Sequence, residues 1–245
     1  MITKITEKVT MALLLITSSL TALPEEFVYL DEIDKTIQIS MRYFSTENFV
    51  GSRLDGYKTA RIIMTKKAAA ALCNAQKELL LDGFCLVVYD AYRPQKAVDH
   101  FVHWSTTPDN QTIKEKYYPE IAKEQCFELG YIGKKSGHTR GSTIDLTIIK
   151  VGDQLKTPTL SWRTMNEKLI PFLDDGTVDM GSSFDLFGPA SHHDSPLMPQ
   201  KYTALRNYLR AKMIKHGFKP YAEEWWHYTL VNEPFPTTYF DFDIE

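Results

Sequence analysis

Apolar residues along this chain fall into short runs punctuated by Gly, Pro, Asn and Asp, and their spacing predicts a mixture of helices and strands. After Pro24, Phe27-Val28-Tyr29-Leu30 opens the folded domain. Residues 41–58 hold Asn48, Gly51, Asp55 and Gly56 and read as a turn-rich loop. Lys66 to Leu81 is rich in Ala and Leu and predicts a helix, with Thr65 as its cap and Gly83 as its stop. Phe84 to Tyr89 is an apolar run between Gly83 and Asp90, which predicts a buried strand. Pro94 suits the first turn of a helix running to about Trp104. A further helical segment is expected from Pro119 to Leu129, closed by Gly130 and Gly133. Thr143 to Lys150 alternates and is β-branched, so it predicts a strand. Residues 151–197 are rich in Pro, Gly, Asp and Ser, with a helix expected near Met165 to Leu173. Tyr202 to His216 has helical periodicity and stops at Gly217, and Trp225 to Val231 reads as a last strand. Helices and strands mix without strict βαβ alternation, so the class is α+β, with a small, mostly antiparallel sheet and flanking helices. Antiparallel pairing of Thr143–Lys150 with Trp225–Val231 would bring the side chains of both segments together.

Composition narrows the class. The chain has 245 residues, 43% hydrophobic and 24% charged, enough for one soluble domain or two small ones. No repeat or linker divides it. The formal charge is −3 and no basic arm or patch is evident, which argues against nucleic acid as a partner. Cys73, Cys85 and Cys126 form no C-x-x-C pair, so they read as buried thiols rather than a thiolate metal site or a disulfide framework. At the N-terminus, Lys4 and Lys8 precede the apolar run Met11 to Ala22. That order reads as a signal peptide over residues 1–22, too short for a stable membrane span of about 20 apolar residues. It implies a mature domain over 25–245 and a periplasmic or secreted location. If the segment is instead an uncleaved N-terminal helix, a cytoplasmic location follows.

Two motifs about eighty residues apart carry the chemistry: Ser136-Gly137-His138-Thr139-Arg140-Gly141-Ser142-Thr143-Ile144-Asp145 and Glu224-Trp225-Trp226-His227. His138, Asp145 and His227 can hold one Zn²⁺ and leave a fourth position for water. Each spacing is weak by itself, because lone histidines are usually structural. The surroundings add content: Gly137 and Gly141 flank His138 in a turn, and Asp145 opens an apolar strand where an unpaired carboxylate is costly to bury. Glu224 stands where a general base and acid would act. Arg93, in Asp90-Ala91-Tyr92-Arg93-Pro94, offers a fixed cation at a strand-to-helix junction; its structural alternative is a salt bridge with Asp90 or a helix-end contact. His100 and His103 lack an acidic partner and read as helix residues, while one of His192 and His193 is a candidate for the pocket wall. No H-E-x-x-H, G-x-S-x-G, S-x-x-K, P-loop or G-x-G-x-x-G occurs.

Together Asp90-Ala91-Tyr92-Arg93-Pro94-Gln95, Ser136-x-His138-x-x-Gly141-x-x-x-Asp145 and Glu224-Trp225-Trp226-His227-Tyr228 resemble the zinc D-alanyl-D-alanine dipeptidases of the VanX type. These are related to the VanY-type D,D-carboxypeptidases and to the hedgehog fold. The resemblance runs from about Phe27 to the C-terminus and includes Asp55-Gly56-Tyr57, Met180-Gly181-x-x-Phe184-Asp185, Ser191-His192-His193 and Tyr239-Phe240-Asp241-Phe242. It implies one hedgehog/D,D-peptidase-like domain and zinc held by His138, Asp145 and His227. It also implies Glu224 as base and acid, Arg93 as the stabiliser of developing charge, and Ser136, Asp185 and Tyr43 along the substrate site. The implied reaction is hydrolysis of a small D,D-dipeptide, in peptidoglycan turnover or precursor removal. The alternatives are a D,D-carboxypeptidase acting on stem peptides and a non-catalytic zinc-stabilised binding module. Leu160 to Asp179 looks like an insertion, read as surface decoration, the alternative being that it reshapes the mouth of the site.

Overall fold

The computed structural model of the chain describes residues 23–245, and the expected signal peptide at 1–22 lies outside them. In chain order the elements are β1 (Phe27–Tyr29), α1 (Leu30–Ile33), β2 (Gln38–Ile39), β3 (Ile63–Thr65), α2 (Lys66–Leu81), β4 (Phe84–Asp90), α3 (Gln95–Trp104) and α4 (Gln111–Tyr117). They continue with β5 (Thr143–Lys150), β6 (Thr159–Met165), β7 (Lys168–Asp174), α5 (Gln200–Lys215), β8 (Phe218–Tyr221) and β9 (Glu224–Leu230). The central sheet has the order β2-β4-β5-β9-β8. Only its β2–β4 pair is parallel, so the expected mostly antiparallel α+β architecture holds.

Local chemistry accounts for the helix that backs the sheet. The Thr65 hydroxyl accepts from Ala68 N at 3.4 Å and caps α2. Ala68, Leu72, Ala75 and Leu79 bury one face of that helix. The expected pairing of β5 with β9 is present, with Asp145 opposite His227. On its other side β5 sets Asp145 opposite Asp90 at the end of β4. Directly opposed residues project from the same face of a sheet, so three neighbouring strands aim Asp90, Asp145 and His227 the same way. The β8–β9 ladder is interrupted: Pro220 faces Tyr228, whereas Tyr221 faces Glu224. The intervening Trp225, Trp226 and His227 bulge away from β8, and this bend returns Glu224 to the side occupied by His227.

The C-terminal segment straps the site loops from behind. Phe240 N donates to Thr139 O and Phe240 O accepts from Gln95 N, both at 3.0 Å. Phe27 sits among Tyr92, Phe235, Phe240 and Phe242. Gly141 closes the turn after His138 with φ of +78°, and a Cβ there would lie 2.2 Å from the Phe27 ring. Only glycine satisfies both the backbone and that approach.

Two expected helices are corrected. Over 119–129 there is only a 3₁₀ turn at Lys123–Gln125, and the helix lies earlier, at Gln111–Tyr117. The Asn110 side chain accepts from Thr112 N and Ile113 N, which starts α4 upstream. Pro119 then disfavours helical backbone at Tyr118, which has φ −145°. The Lys123 ammonium turns inward onto the carbonyls of Trp104, Thr107 and Pro108. Around 165–173 the chain forms the β6–β7 hairpin instead of a helix. Asn166 and Glu167 take positive φ values of 45° and 68°, as a tight two-residue hairpin loop requires. The three cysteines are free and buried, as expected. No helix among the described residues is long and apolar enough to cross a membrane.

Candidate metal centre and active site

Folding brings His138, Asp145 and His227 to one point, with a ligand atom from each lying within 4.8 Å of the others. His138 Nε2 is 3.3 Å from His227 Nδ1 and 3.2 Å from Asp145 Oδ2, and His227 Nδ1 is 3.1 Å from Asp145 Oδ1. Tetrahedral Zn²⁺ with bonds of about 2.0–2.1 Å spaces its ligand atoms by roughly 3.3 Å, close to the separation of the two imidazole nitrogens and to that of each from one oxygen of the Asp145 carboxylate. The donor chemistry fits as well. His138 Nδ1 lies 2.7 Å from Ala91 O, and donating to that carbonyl leaves the Nε2 lone pair facing the centre. Asp145 Oδ1 is buried and accepts no hydrogen bond among the described residues. A cation would satisfy both groups at once.

Arg93 and Asp90 brace this triangle. Arg93 Nε donates to Asp90 Oδ2 at 2.9 Å, and its Nη2 reaches Asp145 Oδ2 at 3.5 Å. The structural alternative for Arg93 is therefore present, yet Arg93 also lines the central cavity. Asp90 accepts from Tyr57 OH at 2.7 Å and approaches His138 Nδ1 at 3.5 Å. Sequence reasoning read Asp90 only as a partner for Arg93; its place beside His138 comes from sheet pairing.

The cavity holds about 270 Å³ and is walled by Tyr43, Arg93, Ser136, His138, Asp145, Asp185, Glu224 and His227. Every expected site residue is thus in one place. Glu224 Oε2 is 3.4 Å from His227 Nδ1. Asp185 is 5% exposed and accepts from Tyr43 OH at 2.9 Å. Among the described residues no cation forms an ion pair with Asp185, and its backbone has φ of +59°, unusual for a residue with a side chain. The Ser136 hydroxyl accepts from His138 N at 3.2 Å. Neither His192 nor His193 is among the lining residues; His192 Nε2 instead lies 3.4 Å from Tyr131 OH, and both His193 ring nitrogens are buried without partners. His100 pairs with Asp55 away from the cavity. Tyr131, Lys135 and Tyr221 complete the rim and had no sequence signal beyond closeness to the two motifs.

Electrostatics separate the carboxylates. Burial pushes Glu224 well above the usual carboxylate range, and the negative charges of Asp145 and Asp185 push it further. Burial and Asp145 do the same to Asp185. Burial raises Asp145 too, but His138 and His227 outweigh it and hold Asp145 below its ordinary value. Burial lowers His138, keeping it neutral and able to donate a lone pair. The cavity thus concentrates negative charge that a divalent cation and an ammonium would balance.

The hairpin turn at Asn166 and Glu167 and the rest of 160–179 contribute no residue to this cavity wall. A peptidase family model described as D-ala-D-ala dipeptidase matches residues 24–157 and 170–245 and passes over 158–169, which overlaps the expected insertion at 160–169 and leaves 170–179 within the match. A D-alanyl-D-alanine dipeptidase of Streptomyces coelicolor is 41% identical over 219 residues, spanning 89% of this chain and 98% of the relative. One of Enterococcus faecalis is 38% identical with the same coverage. One of Escherichia coli is 29% identical and covers 84% of each chain. A solved vancomycin-resistance D,D-pentapeptidase, VanY, with Zn(II) aligns over 73% of this chain and 78% of its own at 14% identity, with a TM-score of 0.38, too loose a likeness to argue from. With the family match spanning both motifs and most of the chain, this protein belongs to the D-ala-D-ala dipeptidase family of peptidases.

Proposed function

We propose that this chain is a zinc metallopeptidase that hydrolyses D-Ala-D-Ala to two D-alanines, with His138, Asp145 and His227 as the zinc ligands. The observation that carries the reading is the meeting, in one cavity, of a metal-sized donor group with a second buried carboxylate, Asp185, that forms no ion pair among the described residues. When bound, Zn²⁺ supplies Lewis acidity that acidifies water and polarises a carbonyl. Glu224 takes a proton from the attacking water and delivers it to the departing amine nitrogen as the peptide C–N bond breaks. With a cation held by His138, Asp145 and His227, Glu224 would feel less of the repulsion from Asp145 and lie nearer the range where it can accept that proton. Arg93, held in place by Asp90 and Asp145, faces the carbonyl oxygen as it gains negative charge. Asp185, steadied by Tyr43, receives the substrate ammonium, and Ser136 orients the peptide unit. Asp185 also explains preference for a free dipeptide. An acylated nitrogen carries no charge and would leave that carboxylate buried and unpaired.

The test is hydrolysis of D-Ala-D-Ala beside its N-acetyl derivative by zinc-loaded protein. Cleavage confined to the free dipeptide is expected. Cleavage confined to the acetylated one would make the protein a D,D-carboxypeptidase, and cleavage of neither, with zinc bound, a binding module. The apolar run Met11 to Ala22 supports export, with the reaction in peptidoglycan turnover outside the cytoplasm. A mature protein that still begins at Met1 would return it to the cytoplasm and to precursor removal.

A further inference from the structure

The carboxylate of a bound dipeptide also needs a partner, and the cavity wall offers two cations, Arg93 and Lys135. Arg93 is already engaged. It is nearly buried, bonded to Asp90 and Asp145, and packed against the rings of Tyr43 and Phe101 at 4.8 and 5.1 Å. Lys135 is exposed at the rim, between Gly133 and Ser136. No carboxylate among the described residues pairs with it, and its ammonium rests 4.9 Å above the Tyr239 ring of the C-terminal strap. Such an exposed cation–ring contact holds weakly, and the flexible four-carbon stem lets the ammonium swing.

A dipeptide is a zwitterion of fixed length. With its ammonium on the buried Asp185, its carboxylate would lie about 7 Å away along two extended residues. We propose that Lys135 is a specificity-determining residue that leaves its perch on Tyr239 to pair with the substrate's free C-terminal carboxylate. The inference rests on the dipeptidase reading. It makes the site select at both ends: Asp185 rejects an extension at the nitrogen, and Lys135 disfavours one at the carboxyl end. The pair forms at an exposed rim, so its strength falls with salt.

The experiment compares kcat/KM for D-Ala-D-Ala and for its C-terminal amide, using zinc-loaded parent, Lys135→Gln and, as control, Lys134→Gln, whose side chain is not among the lining residues. The parent is expected to prefer the acid by about two- to fivefold, the gain expected for one exposed charge contact. Lys135→Gln should bring the acid down to the level of the amide, mainly through KM, and abolish the rise of that KM with added salt. Lys134→Gln should keep the parent's preference. A parent that treats acid and amide alike, or a Lys135→Gln variant that keeps the preference and its salt dependence, overturns the assignment. A zinc-loaded parent that cleaves neither compound would instead overturn the dipeptidase reading itself.

Discussion

Two buried carboxylates, Asp175 and Asp185, lie ten residues apart and meet opposite fates. Asp175 Oδ2 accepts from Arg42 Nη2 and from Tyr89 OH, and its Oδ1 accepts from Thr177 N at 3.1 Å and Thr177 Oγ1 at 2.6 Å. Both oxygens are used and a guanidinium balances the charge. Asp185 has a single phenol, Tyr43, and an excess of negative neighbours. The first arrangement is complete and stabilises the fold; the second is incomplete and stabilises it only when something else enters. Buried polar groups are normally satisfied, so an unbalanced one beside a cavity marks where a ligand's charge belongs. Asp145 Oδ1, buried without a donor, marks a second such place.

The contrast can be broken most sharply at the incomplete site. His138→Ala should reduce bound zinc from one per chain to near zero, read by metal analysis after dialysis, and take hydrolysis with it. Glu224→Ala should keep its zinc and lose about 10²–10⁴ in kcat. Retained zinc in the first variant, or parental rate in the second, would remove those residues from their assigned parts.

At the complete site the loss should appear in folding. Asp175→Ala leaves Arg42 buried without its partner, and about 3–5 kcal/mol of unfolding free energy should go, measured by urea titration. Asp185→Asn should behave in the opposite sense. Its kcat/KM for the dipeptide should fall about a hundredfold, as when one member of a buried charge pair is removed, while stability at pH 8 rises. Because the folded-state value of Asp185 is raised, its contribution to stability is fully present below the ordinary carboxylate range. It is lost as pH rises through the raised value. The parent should therefore lose stability over that climb, and Asp185→Asn should show a shallower loss; equal slopes would clear Asp185 of any part in it. The smallest effect is expected at the hairpin. Replacing 158–169 by a short turn should leave kcat/KM within about twofold, since none of these residues lines the cavity, while the loss of β6 and of buried Met165 should show as lower stability. A larger drop would show that β6 and β7 shape the cavity after all.

Much of this was legible in the chain. The bounds of α2, β4, β5 and α5 follow from caps, glycine stops and apolar runs, signals that act within a few residues. The ligand trio was legible because Asp145 opens an apolar strand and His138 sits between glycines, and neither placement suits an idle polar side chain. The segments 119–129 and 165–173 were misread for the same reason that the others were read well. Their helical spacing is overridden by partners that lie beyond one helical turn, which periodicity does not register. Lys123 turns inward to carbonyls 15–19 residues back, and Lys168–Asp174 pairs with a strand across a turn whose Asn166-Glu167 carries no glycine.

By itself the sequence determined which residue types could hold a metal, move a proton and bury a core, because those are properties of side chains and of short-range periodicity. The tertiary structure alone decided that Asp90, Asp145 and His227 share one sheet face, that a bulge returns Glu224 to them, and that among the described residues Asp175 has a cation and Asp185 has none. Strand register and charge compensation depend on residues as far apart in the chain as Arg42 and Asp175, 133 positions, or Tyr43 and Asp185, 142 positions. No local pattern records such distances, and only the folded chain closes them.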